Sequence, residues 1–568
     1  MKNFFLQIYK KILQFDDYTN QYLKNSSHLE IPTLAYTNWG MHFANLKDFH
    51  SAIEKLETAM LMSSQNPKPC ISLGIIYAKL KEYKKAEKVL LEAIKRDSQS
   101  AYAYSILSSV YVAENNFEQA EEALKKSLKI APSDSETYLN YGVLYAKMKK
   151  KQKAIEMLKK SKFLNPVNTH TLFILGVMLF ETDKISDAFN EFKQLEELDS
   201  AYKNLNYYMA LCYKKEKNYM AVLEYAQRAL NEDKNNPSIY ILLAQNYISL
   251  NKDDEVLNIY NKGFEAGIDD FEFFLSWGIS LLRINRIEEA KEKILKALSK
   301  KDNDSNALYR LGVCYYKEKN LEKAEELYNK ALEMNSSNAS AMADLGIIYY
   351  ERKDYQTAIQ TFFKAIDLST EKAYLYFYIA NCYYKLGKLK KSIDYYEKTI
   401  EYYPNHIEAL INYAVCLLDL NNVKEALRKI RSAYQINRES EKVISIYALT
   451  DLKAGINSDA IEKADILLSK NSTNLEAKLI KASALINIKK TQEALNILLS
   501  LDEKEQNSAI VVCLSYLAYK ALVEVNPTNY NENMLNTYFE KVNALDVDSF
   551  DKNGISEYIR KTLNINKG

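Results

Sequence analysis

The sequence has few of the residues that interrupt helices. Its 568 residues include only 13 glycines and 8 prolines, whereas a β-rich protein of this length needs many more turn-forming residues. Its six cysteines form no CxxC pair, and its five histidines lack the spacing of metal ligands. These scarcities favour a helical chain with free thiols, and they disfavour a disulfide framework or a metal site.

An excess of one charge is also missing. The 76 lysines and arginines nearly cancel the 74 aspartates and glutamates, which leaves a net charge of +2. The chain as a whole is therefore not attracted to nucleic acid or to an anionic membrane. We expect a cytoplasmic protein that binds neither nucleic acid nor a small-molecule substrate.

No long hydrophobic run is present at the N-terminus. The apolar residues of MKNFFLQIYKKILQFDDYTN are interrupted by Gln7 and Lys10, and no cleavage site of small residues follows. This pattern predicts neither a signal peptide nor a membrane span. The apolar residues have helical spacing instead, and we expect a capping helix within residues 1–32. The alternative is an interfacial membrane anchor with Lys2, Lys10 and Lys11 on its polar face, although three lysines make a sparse basic face.

Motifs that carry chemistry are absent as well. The sequence contains no GxSxG, no phosphate-binding loop, no HExxH and no histidine–cysteine pair in a catalytic context. Asp546, Asp548 and Glu557 have the spacing of the first, third and twelfth residues of a calcium-binding loop. However, Phe550 stands where such a loop needs a ligand, and Asp551 stands where it needs a glycine. We therefore predict no enzymatic activity, no cofactor and no metal.

What the sequence does have is a repeat of 34 residues. Fourteen copies run from residue 33 to residue 508 without an insertion or deletion. Position 8 is always Gly, Ala or Ser, position 20 is Ala in eleven copies, and position 11 is usually aromatic. The copies begin at Thr33, Pro67, Ala101, Ser135, Thr169, Lys203, Pro237, Phe271, Ser305, Ala339, Ala373, Ile407, Glu441 and Leu475.

This pattern predicts two helices in each repeat. Two antiparallel helices approach closely only where their side chains are small, so positions 8 and 20 mark the crossing point. The aromatic residue at position 11 and a large apolar residue at position 24 fill the space around it. One helix pair cannot bury both of its faces, but fourteen stacked pairs bury a continuous core.

These positions closely resemble those of the tetratricopeptide repeat family, although the family's tryptophan at position 4 is missing throughout. The resemblance implies an all-α, right-handed superhelical solenoid of about fourteen to fifteen helix-turn-helix units. It divides the chain into a capping helix (1–32), fourteen contiguous repeats (33–508), and a degenerate terminal repeat with a C-terminal capping helix (509–568).

Some repeats depart from the pattern. Val222 and Val256 enlarge the crossing point, and Asp451 replaces the aromatic residue at position 11. We expect local looseness or a change of superhelical pitch at these repeats. After residue 508 the sequence predicts a first helix, an inserted loop over 526–533 (NPTNYNEN), a second helix, and a last amphipathic helix in GISEYIRKTLNI.

Adjacent tyrosines recur in repeats 9, 10 and 11, at positions 11 and 12 of each. Side chains that are neighbours on a helix point about 100° apart, so only one tyrosine of each pair can enter the core. In the tetratricopeptide family, positions 2, 5, 9, 12 and 13 face the concave groove. We therefore predict a partner-binding groove and call it the tyrosine face. It comprises Tyr309, Tyr316, Lys317, Tyr350, Phe377, Asn381, Tyr384 and Lys385.

The same residues allow another interpretation. Tyrosine is abundant throughout the chain, and the side chains at position 12 could instead pack on the next repeat. No repeat has Lys or Arg at position 5, and position 6 is Asn in only three repeats. The carboxylate clamp and the asparagine ladder that some family members use are therefore not expected.

The architecture predicts a scaffold that binds segments of partner proteins in its groove. Two other roles stay open. One is a membrane-surface assembly factor for an envelope complex, held by the first 15 residues. The other is a regulatory subunit of a separately encoded enzyme, such as a glycosyltransferase. RNA binding ranks last because the groove is apolar and the chain is nearly neutral.

Overall fold

Helices make up all the regular structure that is described. The computed structural model describes residues 30–543, and this range contains 31 helices and no strand. The prediction of an all-α repeat solenoid is confirmed. The chain divides into two compact halves, Met1–Ser280 and Leu281–Gly568.

The helices of the N-terminal half pair in sequence. They are α1 (Glu30–Asn45), α2 (Phe49–Met62), α3 (Lys68–Lys79), α4 (Tyr83–Arg96), α5 (Ala101–Ala113), α6 (Phe117–Ile130), α7 (Ser135–Lys147), α8 (Lys151–Leu164), α9 (Thr169–Glu181), α10 (Ile185–Leu198), α11 (Leu205–Lys215), α12 (Tyr219–Glu232), α13 (Pro237–Ser249), α14 (Asp253–Glu265) and α15 (Phe271–Arg283), which ends just inside the second half. Each odd-numbered helix is the first of its repeat, and the following even-numbered helix is the second.

The C-terminal half continues this order. It holds α16 (Ile287–Leu298), α17 (Ser305–Lys317), α18 (Leu321–Met334), α19 (Ala339–Glu351), α20 (Tyr355–Leu368), α21 (Ala373–Lys385), α22 (Leu389–Tyr402), α23 (Ile407–Asp419), α24 (Val423–Ile436), α25 (Glu441–Lys453), α26 (Asn457–Lys470), α27 (Leu475–Asn487), α28 (Thr491–Leu499), α29 (Glu503–Gln506), α30 (Ala509–Val525) and α31 (Asn529–Asn543). The strict order of pairs ends after α28.

A polar cap begins most of the first helices. The residue at position 34 of one repeat accepts a hydrogen bond from the third backbone N–H of the next first helix, as Asp134 does from Thr137 and Asn338 does from Ala341. Such a bond satisfies one of the four N–H groups that a helix start leaves without a partner. The recurring Ser, Asp or Asn therefore fixes where each repeat starts.

A left-handed residue ends the first helix in all fourteen repeats. Position 15 has a φ between 55° and 76° in every one, yet only two of these residues are glycine and seven are lysine. In repeat 2, the N–H of Lys81 donates to the Ala78 carbonyl and that of Glu82 to the Tyr77 carbonyl, at 3.0 and 2.8 Å. This is the Schellman pattern, which favours glycine because a Cβ is crowded at positive φ.

Replacing such a lysine by glycine should stabilise its repeat. We expect Lys81→Gly to raise the free energy of unfolding by about 1 kcal/mol, because it removes the crowded left-handed Cβ. Denaturant unfolding followed by circular dichroism measures the change. The matched control is Lys88→Gly, an exposed position inside α4, which should lower stability by about 1 kcal/mol. A loss of stability in both variants would contradict the argument.

The crossing point of each helix pair lies at position 8, as the repeat pattern predicts. A Cβ added to Gly346 in α19 would lie 2.6 Å from Cε1 of Phe362 in α20. At Gly74 in α3, the added atom would lie 2.5 Å from Cγ of Leu90 in α4. The small residue at position 8 therefore accommodates the large one at position 24, and Phe362 and Leu90 are fully buried.

The C-terminal elements differ in detail from the sequence prediction. Helix α30 spans Ala509–Val525 as expected, but the loop predicted over 526–533 is only Asn526–Thr528 long, because α31 begins at Asn529. The Thr528 hydroxyl accepts a hydrogen bond from the Asn531 N–H at 3.1 Å and caps the helix. The predicted long loop was therefore wrong.

Three predictions concern residues outside the described range. The capping helix in 1–32, and with it the alternative membrane anchor, falls almost wholly before residue 30. The last amphipathic helix and the calcium-loop offsets Asp546, Asp548 and Glu557 fall after residue 543. The boundaries at 32 and 508 accordingly stay predictions of the repeat pattern.

Candidate functional site

The first helices of repeats 9, 10 and 11 carry the tyrosine face. Tyr309, Tyr316 and Lys317 lie on α17, Tyr350 lies on α19, and Phe377, Asn381, Tyr384 and Lys385 lie on α21. Two of these residues, Tyr309 and Asn381, are buried, and both lysines are exposed. The other four side chains are half-buried.

Three tyrosines of this face bond to a carboxylate in the following repeat. The Tyr309 hydroxyl donates to Asp344 at 2.9 Å. The hydroxyls of Tyr316 and Tyr384, both at position 12, donate to Glu351 and Asp419, and the second distance is 2.7 Å. In each case the acceptor lies 35 residues later, one position further along the next first helix. These bonds join neighbouring repeats, and the three tyrosine hydroxyls therefore donate to residues of this chain.

Tyr350 is the exception. The residue 35 positions later is Lys385, whose ammonium group has no lone pair to accept a hydrogen bond. The Tyr350 hydroxyl makes no hydrogen bond with any residue in 30–543. Its ring packs edge-on against Tyr355 and Tyr378, with centroids 5.6 and 5.7 Å apart, and burial raises the pKa of its hydroxyl to about 12. Tyr350 therefore keeps a neutral hydroxyl as an unused donor on a fixed ring.

The two remaining side chains on α21 contribute differently. Phe377 packs on the imidazole of His406, with ring centroids 4.7 Å apart, and stays half-buried. The Asn381 amide oxygen accepts from the Tyr396 hydroxyl at 2.6 Å and from the Asn412 amide at 3.1 Å. Because Asn381 is buried and bonded to Tyr396 and Asn412, it joins α21 to the next two helices, while Phe377 offers apolar surface.

Asp344 also belongs to this face, although it is not among the eight residues predicted from the repeat positions. Burial raises the pKa of its carboxyl to about 6, against the opposing effects of the Tyr309 hydrogen bond and the Arg310 charge. Burial also raises the pKa of the tyrosines around it, and the Asp344 charge adds to each shift. Those tyrosines are Tyr309, Tyr316, Tyr328, Tyr374 and Tyr378.

A sequence signal for Asp344 exists at another position of the repeat. Where position 24 is tyrosine, position 6 of the next repeat is polar. The three pairs are Tyr260 with Ser276, Tyr328 with Asp344, and Tyr396 with Asn412. The Tyr260 hydroxyl lies 3.0 Å from the Ser276 hydroxyl. This pairing identifies polar groups on the first-helix face.

The described residues contain no group of side chains arranged to hold a metal ion. All six cysteines are buried, and no disulfide joins two described residues. Burial raises the pKa of the Cys212, Cys314 and Cys382 thiols to about 12, so these thiols are protonated and unreactive at neutral pH. Between residues 30 and 543, no helix combines the length and the apolar character needed to cross a bilayer.

Comparison with protein families gives matches in both halves of the chain. Models described as tetratricopeptide repeat match residues 46–110, 111–168, 305–338 and 327–360. A model described as anaphase-promoting complex, cyclosome, subunit 3 matches residues 351–433. The last match includes α21, which carries four residues of the tyrosine face.

Solved structures give distant matches. The chain is similar to one in the crystal structure of the APC/C hetero-tetramer Cut9–Hcn1, with 14% identity over 82% of this chain and 98% of that chain and a TM-score of 0.40. It is also similar to PilF of Pseudomonas aeruginosa (21% identity, 37% and 96% covered, TM-score 0.35) and to a thermophilic TPR protein of Thermus thermophilus (20%, 32% and 98%, 0.30). No curated protein matches the sequence significantly.

Proposed function

Because this chain belongs to the tetratricopeptide repeat family, we propose that it is a non-enzymatic scaffold that binds a segment of a partner protein on the tyrosine face. Family membership supports protein binding in general. The location and chemistry of the site are inferred from the side chains of repeats 9 to 11. The proposed setting is the cytoplasm.

The observation that carries the proposal is the state of Tyr350. The position-12 tyrosines on either side of it donate to Glu351 and Asp419 of the following repeats, but the Tyr350 hydroxyl donates to no described residue. A half-buried ring with an unused donor offers a partner both contact area and one directed hydrogen bond. Tyr316, Phe377 and Tyr384 add further half-buried aromatic surface on the tyrosine face.

The partner segment that fits has an apolar side chain and a carbonyl oxygen close together. Both are available on an extended chain or on the end of a helix. The apolar side chain would cover Phe377 and the Tyr350 ring, and the carbonyl would accept from the Tyr350 hydroxyl. The exposed ammonium group of Lys317 would favour acceptor groups at the edge of the contact.

Site-specific crosslinking tests the proposal. A photoreactive phenylalanine placed at Tyr350 in the organism's own cells should crosslink to one polypeptide. The same residue placed at Tyr402, an exposed tyrosine on α22, should not. The crosslinked partner then supplies the segment for affinity measurements.

We expect Tyr350→Ala to weaken binding of that segment about tenfold or more, as the loss of a central aromatic contact does. Tyr350→Phe removes only the hydroxyl and should weaken it by about threefold to tenfold. Calorimetric titration measures both, with Tyr402→Ala as the control and circular dichroism as the check on folding. Unchanged affinity in the Tyr350→Ala variant would contradict the proposed site.

A further inference from the structure

A strongly basic segment lies in repeat 4, far along the sequence from the tyrosine face. Residues 147–162 contain eight lysines and one glutamate, in a chain whose net charge is only +2. The corresponding segments of the neighbouring repeats are acidic. Residues 113–128 have four acidic residues and two lysines, and residues 181–196 have five and two. The charge is therefore a local property of repeat 4.

Most of this charge is not used within the chain. Within residues 30–543, only Lys151, Lys160 and Lys162 of this segment form ion pairs, with Glu181, Glu156 and Glu191 at 2.9, 3.3 and 2.7 Å. The other five lysines are exposed and pair with no carboxylate among residues 30–543. They are Lys147, Lys149, Lys150, Lys153 and Lys159. We call the surface of residues 147–162 the basic strip.

An apolar cavity lies at one end of the basic strip. It has a volume of about 470 Å³ and opens where α8 ends against the start of α7. The Phe163 side chain at its edge is 85% exposed. The remaining walls come from Pro132, Ser133, Tyr138, Glu156, Lys159, Lys160 and Leu164. An exposed phenylalanine beside an open apolar cavity costs free energy in water, which favours an interaction site over plain surface.

We infer that the basic strip and this cavity form a second docking site, which binds an acidic segment of a partner protein and takes one of its apolar side chains into the cavity. Carboxylates of the segment would pair with the five lysines that have no carboxylate partner among residues 30–543. The site lies in the N-terminal half and does not depend on the tyrosine face.

The width of the basic strip favours a polypeptide over a membrane or nucleic acid. The basic charge covers α8, the turn before it and the last residue of α7, and one helix is only about 10 Å across with its side chains. Acidic repeats adjoin it, and Lys162 already contacts Glu191 in α10. A membrane surface or a nucleic-acid duplex would extend over these acidic neighbours and be repelled by them. A single extended chain or helix fits within the strip.

A designed peptide provides the probe. A labelled peptide of about ten glutamates with one central phenylalanine is long enough to span the strip. We expect it to bind the full chain in low salt, with anisotropy as the readout. The triple variant Lys149→Glu, Lys150→Glu, Lys153→Glu should bind it at least about tenfold more weakly. The control triple Lys364→Glu, Lys390→Glu, Lys424→Glu makes the same change in charge elsewhere and should bind within about twofold of the wild type.

A second variant tests the cavity separately. Phe163→Ser should weaken binding of the peptide that contains phenylalanine. It should leave unchanged the affinity for a control peptide in which serine replaces that phenylalanine. Equal losses in the two lysine triples would show that overall charge alone attracts the probe, and would overturn the site. Binding of phosphatidylserine vesicles or of a DNA duplex in place of the peptide would also overturn it, as would no binding of the peptide at all.

Discussion

Asp451→Ala is expected to destabilise repeat 13 by about 3 kcal/mol or more, because it leaves a buried ammonium group without its counter-charge. Asp451 stands at position 11, where most repeats have an aromatic residue, and it is fully buried. The Nζ of Lys463 in α26 lies 2.9 Å from its Oδ2. Burial raises the pKa of the Asp451 carboxyl, against the opposing effect of Lys463. Removing either partner exposes the other to the cost of an unpaired charge in the core.

Amide hydrogen exchange in α25 and α26 is the measurement to use, because repeats unfold with some independence and a global midpoint would average the effect. The double variant Asp451→Tyr with Lys463→Leu restores an apolar core and should be closer to the wild type than either single change. As a control, Glu122→Ala breaks the exposed pair with Lys126 and should change stability by about 0.5 kcal/mol at most. If Asp451→Ala behaved like this control, the buried pair would not support the repeat.

Gly346→Val is expected to cost about 3 kcal/mol, at the upper end of what overpacking a core usually costs. An added Cβ would lie 2.6 and 2.7 Å from Cε1 and Cδ1 of Phe362, which is fully buried. The helices α19 and α20 would have to separate. Denaturant unfolding and exchange in these two helices measure the loss.

A double-mutant cycle shows whether this contact is the cause. Phe362→Ala alone should cost about 3 to 5 kcal/mol because it leaves a cavity. In that background Gly346→Val should cost little, since its methyl groups occupy the vacated space. Repeat 13 already combines small residues at both positions, Ala448 and Ala464, both fully buried. Gln360→Val, exposed on α20, controls for β-branching and should cost about 0.5 kcal/mol. Additive losses in the cycle would disprove the proposed contact.

The helical repeat could be predicted from the sequence because its determinants are local and recur. A small residue at position 8 and a large one at position 24 have a steric reason that recurs in twelve of the fourteen copies, as Gly74 with Leu90 shows. The left-handed residue at position 15 was not predicted. Glycine, the usual sequence signal for a left-handed residue, occurs at this position only as Gly387 and Gly455. Lysines such as Lys81 give no such signal.

The chemistry of the site was less predictable, because it depends on which residues meet between repeats. The tyrosine doublets in the sequence indicate which helix face carries the site. Predicting the bonds from Tyr316 to Glu351 and from Tyr384 to Asp419 also requires knowing how neighbouring first helices are shifted along each other. That offset follows from the stacking of repeats and not from the pattern within one. Asp451 is a similar case. The repeat pattern predicted local looseness there because Asp451 replaces the usual aromatic residue, but the structure places it beside Lys463 in a buried ion pair.

The bonds that cross from one repeat to the next limit how the array could gain or lose copies. A gene that drops 34 codons in frame would keep every helix and every crossing point in register. Loss of residues 339–372, however, would bring Lys385 to the place where Glu351 now accepts from Tyr316. The copies are interchangeable as shapes but not in the polar groups they present to their neighbours, so the order of repeats 9 to 12 carries information that their fold does not.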